Sequence, residues 1–285
     1  MMSSSRKTTL VLGGTGRSGA LIAQTLARHG LDARRAARHG GDVVFDWDNQ
    51  STYGPALEGA DCVYLVTPVM RTRFAGQVAT FLDLAEQRGV RHVTYLSAYG
   101  SDRAPPEIDI YAAERELAGR TALGHSILRP AWVMQNFADQ HLPLIGDTFT
   151  VPTGGGAEAY VDAADIAAVA VETLVDPDAH AGAHYAPTGP HALTMDQVVD
   201  IVSRAVGRPI ASNDVDPEHW IGSAVEAGFV PADYAVMLRW LTSSIISGNG
   251  ARPNTDVERV TGRPATSFEV FARRHAAAWA LRSVA

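Results

Sequence analysis

One cysteine, Cys62, in 285 residues leaves no partner for an intramolecular disulfide and no thiolate cluster for a metal. No apolar run approaches the roughly 20 residues that span a bilayer, which excludes a membrane-spanning helix. Positive charge is in deficit: 24 Lys and Arg against 31 Asp and Glu give a net charge of -7, which argues against nucleic acid or an anionic membrane as the main partner. The polar lead from Met1 to Lys7 is followed by no apolar stretch with a cleavage site, so no signal peptide is expected. Ten histidines are scattered without ligand spacing, and no metal is expected. Internal repeats and long low-complexity linkers are also missing. What remains is a protein with 46% hydrophobic residues, ample for a core, and a cytoplasmic location is expected.

The chain opens with the apolar run Thr8-Thr9-Leu10-Val11-Leu12, which leads directly into Gly13-Gly14-Thr15-Gly16-Arg17-Ser18-Gly19. A helical pattern, Ala20, Leu21, Ile22, Leu26 and Ala27, follows at once. A strand, a glycine turn and a helix N-terminus in this order make a pyrophosphate site. Gly13 permits the tight turn, Gly16 lets backbone approach the phosphates, and Gly19 lets the helix pack on the sheet. The amides and positive dipole end of the helix face the anion. Thr15, Arg17 and Ser18 fill the turn and join the three glycines as cofactor-binding positions.

The next strand, Asp32 to Arg38, ends about 20 residues past the last glycine, where the ribose is read. NAD sites place Asp or Glu there to accept from the 2′-hydroxyl. This chain places Arg38, beside His39 and Gly40, with Asp42 the nearest carboxylate downstream. A guanidinium pairs bidentately with a 2′-phosphate and gains nothing comparable from a hydroxyl, so NADP(H) is the expected cofactor.

Further short β-like runs occur at Val43 to Asp46, Cys62 to Thr67, Val93 to Ser97 and Ser126 to Arg129. Helical patterns lie between them at Gln77 to Arg88 and Glu107 to Ala118, ended by Gly89 and Gly119 in the C′ position. Such alternation predicts an α/β fold with a doubly wound parallel sheet, and the near-continuous apolar run Cys62 to Val66 suits a central strand. After about residue 130 the alternation weakens. Thr153 to Gly156 reads as a loop, Asp162 to Asp165 start a helix, and Ala183 to Pro187 suits a further strand. Helices are expected from Thr194 to Ala205, from Pro217 to Ser247, and from a Ser267 cap to near Arg282. The expected organisation is a dinucleotide-binding core over 1–150 interleaved with a smaller, mostly helical substrate lobe over 151–285.

Several segments in order resemble the NmrA-like branch of the atypical short-chain dehydrogenase/reductases across nearly the whole chain. They are Leu12 to Gly16, Tyr95-Leu96-Ser97-Ala98, Ile127-Leu128-Arg129-Pro130, Met134-Gln135-Asn136-Phe137, Tyr160 to Ala167 and Pro187-Thr188-Gly189-Pro190. Within that branch, Val44-Phe45-Asp46-Trp47 and Val63-Tyr64-Leu65-Val66 are similar to the ergot-alkaloid dehydrogenase group of festuclavine and agroclavine type. The resemblance implies a Rossmann fold, bound NADP(H) and a substrate pocket under the C-terminal lobe. By position it implies Asp46 near the adenine, Thr67 and Pro68 along the cofactor, and Ser97 to Tyr99 beside the nicotinamide. Each has a plainer alternative: Thr67-Pro68 also ends a strand, and Asp162 and Asp165 suit caps and loop anchors.

Reductases of the broad superfamily pair a tyrosine acid with a lysine four residues later. Here Tyr111 is followed at that spacing by Arg115. Tyr111 is thus a candidate acid that equally suits packing on an amphipathic helix, while Ser97 and Tyr99, at a strand's carboxyl end, are candidates to orient a substrate. A ketone needs a proton as its oxygen becomes anionic, whereas an iminium already carries the charge that hydride neutralises. A cyclic imine or iminium, enone or quinone-like acceptor, polycyclic or aromatic, fits such a site, and Trp132, Met134, Asn136 and Tyr160 are the candidate pocket residues. The expected function is an NADPH-dependent reductase of secondary metabolism acting on a small molecule, with a homodimer admitted. Two other readings stand beside it: a non-catalytic NADP(H)-sensing regulator and a non-redox cyclase or epimerase on the same scaffold.

Overall fold

A computed structural model describes residues 7–139 and 141–280. The chain packs as two units, Met1–Pro130 with Ile166–Ala186, and Ala131–Asp165 with Pro187–Ala285. Residues 131–150, expected with the core, therefore fall in the second unit, and 166–186 fall in the first.

The first unit begins with β1 (Thr8–Leu12), α1 (Arg17–Arg28), β2 (Asp32–Ala37) and β3 (Val43–Val44). It continues through α2 (Tyr53–Leu57), β4 (Cys62–Leu65), α3 (Ala75–Gln87), β5 (His92–Leu96), α4 (Ile110–Ala118) and β6 (Gly124–Leu128). The second unit contributes β7 (Leu144–Ile145) and β8 (Thr148–Val151) before α5 (Ala163–Val175) leads back to β9 (Ala183–Tyr185) of the first. Seven parallel strands form one sheet in the order β3-β2-β1-β4-β5-β6-β9. This is a Rossmann-type α/β fold. The order reverses beside β1, with β2 on one side and β4 on the other, and ligands of such sheets bind at the carboxyl ends of the strands flanking that switch. All four residues of β4 are buried, as its unbroken apolar run requires of a strand covered on both faces.

The helices follow their apolar spacing. α1 buries Gly19, Ile22, Ala23 and Leu26, and α3 buries Val78, Phe81, Leu82 and Ala85. α3 ends into Gly89 at φ 78°, as its sequence suggests, but Gly119 caps α4 at φ -74°, so the left-handed freedom of glycine is unused there. α4 also starts three residues later than expected, because Asp109 is drawn into another task. Its carboxylate accepts from the backbone N–H of Phe74 (2.6 Å) and Ala75 (2.9 Å), capping α3 from a distance.

The second unit is completed by α6 (Met195–Val206), β10 (Ala211–Asp214), α7 (Pro217–Glu226), α8 (Ala235–Ile246), α9 (Asp256–Thr261) and α10 (Phe268–His275). It is not purely helical: β10, β8 and β7 form a three-stranded sheet. The sequence hides this sheet because β7 has two residues and the polar strand Ala-Ser-Asn-Asp of β10 is mostly exposed. The single helix expected over 217–247 is two, broken where Gly228 turns at φ 71° and Pro231 removes an N–H. The last helix stops at His275 and gives way to a short 3-10 turn over Ala276–Trp279, and its expected end near Arg282 lies outside the described residues. Phe137 centres the core of this unit, edge-to-face with Tyr160 at 5.2 Å, Phe268 at 5.5 Å and Phe149 at 5.6 Å. Among the described residues no helix is long and apolar enough to cross a membrane.

His92, 1% exposed at the start of β5, shares a 3.2 Å hydrogen bond with Ser126. Burial, with His125 and His180 nearby, lowers its pKa to about 4. The folded protein therefore keeps this imidazole neutral, and the associated stability is complete above about pH 6.5 and lost as pH falls through 4. The wild type should lose about 3 kcal/mol from this group over that window. Urea unfolding of His92→Gln across the same range should show a shallower acid limb.

Candidate functional site

At the sheet's switch point the backbone of the β1–α1 turn folds tightly on itself. Gly13 stands at φ 61°, and the Gly16 N–H donates to the Gly13 carbonyl at 2.8 Å. A Cβ on Gly19 would lie 2.2 Å from the Gly13 oxygen, and one on Gly14 would lie 2.6 Å from Cβ of Arg35 on β2. Gly14, given no role by spacing alone, is thus the residue that lets β2 come close. Gly16 occupies the N-cap of α1 with no side-chain capping bond, and the first turn contains no acidic residue. The amides at this helix start are left for an anion, so the turn fits a dinucleotide diphosphate. Thr15 and Arg17 are exposed here, and Ser18 turns toward the buried Tyr64 hydroxyl, which has no hydrogen-bond partner of good geometry.

The loop after β2 reaches the same turn, since a Cβ on Gly40 would stand 3.8 Å from Cγ2 of Thr15. Arg38 is exposed in this loop. Asp42, the nearest carboxylate, is already engaged: it accepts from the Arg35 backbone N–H (2.9 Å), Nε (3.1 Å) and a terminal guanidinium nitrogen (2.7 Å). Those bonds from Arg35 hold the Asp42 carboxyl below its ordinary range. Asp46 accepts from the Asp48 N–H at 3.0 Å, which closes a turn. Thr67 and Pro68 follow β4, and the Trp47 indole donates to the Val66 carbonyl just before them at 3.2 Å. Met70, next in this loop, has φ 57°, uncommon for a side-chain-bearing residue.

Beyond β5 the candidate acid groups meet a buried ion pair. Glu114 lies on the inward face of α4 and is 1% exposed. It accepts from Ser97 (2.5 Å), Ser101 (2.6 Å) and the Arg129 guanidinium (2.5 Å to Oε2). The hydroxyl hydrogen of Ser97 is therefore committed to Glu114. Hydrogen bonds to the Glu114 carboxylate raise the Arg129 guanidinium's pKa. Tyr99 hydrogen-bonds through its backbone to the Pro130 carbonyl at 3.0 Å. Tyr111 sits at the helix surface, 36% exposed, with the Arg129 guanidinium carbon 6.0 Å from its ring centre. Lys7 is the only lysine in the chain, so no lysine stands beside any of these tyrosines. The sequence does signal the buried pair: with Ile110, Ala113 and Leu117 forming the apolar stripe, Glu114 occupies a core position.

In the second unit, Met134 and Tyr160 are core residues around Phe137, Trp132 packs at the edge of that core, and Asn136 lies in a 3-10 turn over Met134–Phe137. Asp162 caps α5 by accepting from the Ala164 N–H (2.9 Å), and Asp165 anchors Arg263 and Thr266 at 2.6 Å each. Both act as the caps and anchors their positions suggest. Among the described residues no cluster of metal-ligating side chains is found.

The model of the NmrA-like family matches residues 5–241, and the chain belongs to that family. An uncharacterized oxidoreductase of Bacillus subtilis (strain 168), YesF, is 35% identical over 95% of this chain and 96% of its own. The agroclavine dehydrogenase of Claviceps fusiformis is 29% identical, covering 96% and 99%. Among solved structures, the NADPH-dependent quinone oxidoreductase QOR2 of Escherichia coli, complexed with NADPH, superposes with a TM-score of 0.74 at 20% identity, over 93% of this chain and 99% of that one.

Removing Glu114 strands Arg129 and two hydroxyls. Glu114→Ala should cost about 3–5 kcal/mol in urea unfolding, whereas Tyr111→Phe, at an exposed site, should change stability by less than about 0.5 kcal/mol.

Proposed function

We propose that this oxidoreductase of the NmrA-like family is an NADPH-dependent reductase acting on a small cyclic iminium, enone or quinone-like molecule, with a role in secondary metabolism. The observation that carries the cofactor choice is the state of the two charged groups after β2. Asp42 is engaged by Arg35 and so is not offered to a ribose hydroxyl, while Arg38 stands exposed in the loop whose Gly40 reaches the glycine turn. A guanidinium in that place favours a 2′-phosphate. When bound, NADPH supplies the hydride. Gly13, Gly16 and Gly19 would hold its diphosphate, Arg38 the 2′-phosphate, and Asp46, Thr67 and Pro68 its adenine and central stretch.

The substrate class follows from the acid groups. With one lysine in the chain there is no tyrosine–lysine pair, and the Ser97 hydrogen goes to Glu114. Ser97 would thus act as a fixed strut and Tyr99 as the nearer orienting hydroxyl. Acceptors that need no strong protein acid suit this arrangement: an iminium whose charge the hydride neutralises, or a conjugated acceptor protonated by solvent. The names of the relatives point the same way, since one acts on a clavine and a structural neighbour on quinones.

Calorimetric titration with NADPH and NADH tests the cofactor reading. Wild type should prefer NADPH by about 10- to 100-fold, and Arg38→Ala should abolish most of that preference while leaving NADH binding unchanged. NADPH oxidation with N-methyl-3,4-dihydroisoquinolinium and with a naphthoquinone should then proceed in the wild type. Tight NADPH binding without turnover on any acceptor would instead favour a sensor, and product without NADPH consumption a non-redox enzyme.

A further inference from the structure

Glu158 has no part in the site described above. It lies in the second unit, 1% exposed, and neither carboxyl oxygen has a hydrogen-bond partner. Its backbone is fully used, pairing with Leu193 in both directions at 3.0 and 2.9 Å, so the main chain holds the residue in place. A carboxyl so placed is tolerated while it is protonated and uncharged. As a carboxylate without a donor it is strongly disfavoured.

What closes over it is the loop 247–255, the irregular stretch between α8 and α9. Gly250, in the middle of the loop, packs so closely that a Cβ there would lie 1.7 Å from Oε2. Its carbonyl accepts from the Ala159 N–H at 2.9 Å, tying the loop to the residue beside Glu158. The ends of the loop are held elsewhere. Near α8, Gly248 turns at φ 69° and the Asn249 N–H donates to the Ser244 carbonyl at 3.0 Å. Toward α9, the Asn254 N–H donates to Oγ1 of Thr188 at 2.9 Å. The middle of the loop can therefore lift by giving up the Ala159 bond while both ends stay anchored.

The charged and titratable groups around the carboxyl leave it uncompensated. Arg252, the only charged residue of the loop, is exposed. On the Leu193 side, His191 is exposed and its charge acts on Glu269. The Tyr160 phenol is raised first by its burial and then by Glu158 and Asp214, and Asp214 is itself bound by the N–H groups of Thr153, Gly154 and Gly155. No charged side chain among the described residues shifts Glu158. Burial pushes its carboxyl up to about 7, with the backbone amides of Trp132 and Ala159 opposing.

We propose that the loop 247–255 is a proton-operated strap, closed over Glu158 while the carboxyl holds its proton and released when that proton is lost. Release lets the carboxylate reach water instead of standing as an unpaired buried charge. The direction follows from linkage. The closed form holds the proton up to about pH 7, whereas the open form, with the carboxyl hydrated, loses it near the ordinary value of 4.5. Closure is therefore strongest below about pH 4.5, weakens as pH rises from there through 7, and changes little above that. This device is independent of the cofactor and the substrate proposed above.

Amide hydrogen exchange of the full-length protein, read by peptide mass and corrected for the intrinsic pH dependence of exchange, tests the strap. The reporter is the Ala159 amide, which exchanges when its bond to Gly250 opens. In the wild type its protection should fall about 50-fold between about pH 5 and about pH 7.5, then level off toward about pH 8.5. Amides inside α6, in the same unit, should keep their protection across the series. Glu158→Gln has no proton to lose there, and its Ala159 amide should stay protected alike at every pH. A wild-type series with no fall at Ala159, a fall shared equally by α6, or the same fall in Glu158→Gln overturns the proposal. If Glu158→Gln does not fold, Glu158→Leu replaces it with the same expectation, and the wild-type contrast between Ala159 and α6 still decides.

Discussion

The first unit depends on how closely the β1–α1 turn approaches its own backbone and β2. The Gly13 carbonyl occupies the space a Cβ of Gly19 would need, and β2 occupies the space a Cβ of Gly14 would need. With glycine at these places, α1 starts directly over the end of β1, and its uncapped amides are set at the point where the sheet order reverses. A single methyl group would push either the helix or the neighbouring strand away, and interiors packed as densely as crystals do not absorb such a shift cheaply. The chemistry assigned to the protein begins there, because a dinucleotide diphosphate takes no side-chain charge to hold when backbone amides face it.

A second constraint lies beyond β5, where Glu114 gathers Ser97, Ser101 and Arg129. A carboxylate on the core face of a helix is expensive to bury, and here three donors from separate segments offset that cost. The arrangement fixes the end of β5 and the start of the segment after β6. It also uses up the hydroxyl of Ser97, a candidate to orient a substrate. Rigidity has been gained at the carboxyl end of β5, where the Ser97 hydrogen is committed to Glu114.

Glu158 is the opposite case. Its carboxyl is buried as deeply as that of Glu114 yet meets no donor, and Gly250 makes room for it. Two glutamates of equal burial thus differ: one gathers three donors, and the other has no hydrogen-bond partner for its carboxyl oxygens. The difference cannot be seen in their local sequences. Glu114 interrupts an apolar helical stripe and so declares itself, whereas Glu158 sits between alanines in a stretch with no period.

The amino-acid sequence by itself determined the parallel sheet, its central strand, the glycine turn and the cation at the end of β2. Each of these is a local pattern: an apolar run, a spacing of glycines, or a residue type a fixed distance along the chain. Tertiary structure decided what no local pattern could. It paired Asp42 with Arg35, seven residues apart, and so engaged the nearest carboxylate after β2. It drew Asp109 away to cap α3, and it assembled β7, β8 and β10, whose residues are too few or too polar to announce a strand. It crossed from one unit to the other three times, after Pro130, Asp165 and Ala186, where composition shows no change. These contacts depend on where the fold brings each segment, and no run or spacing in the sequence announces them.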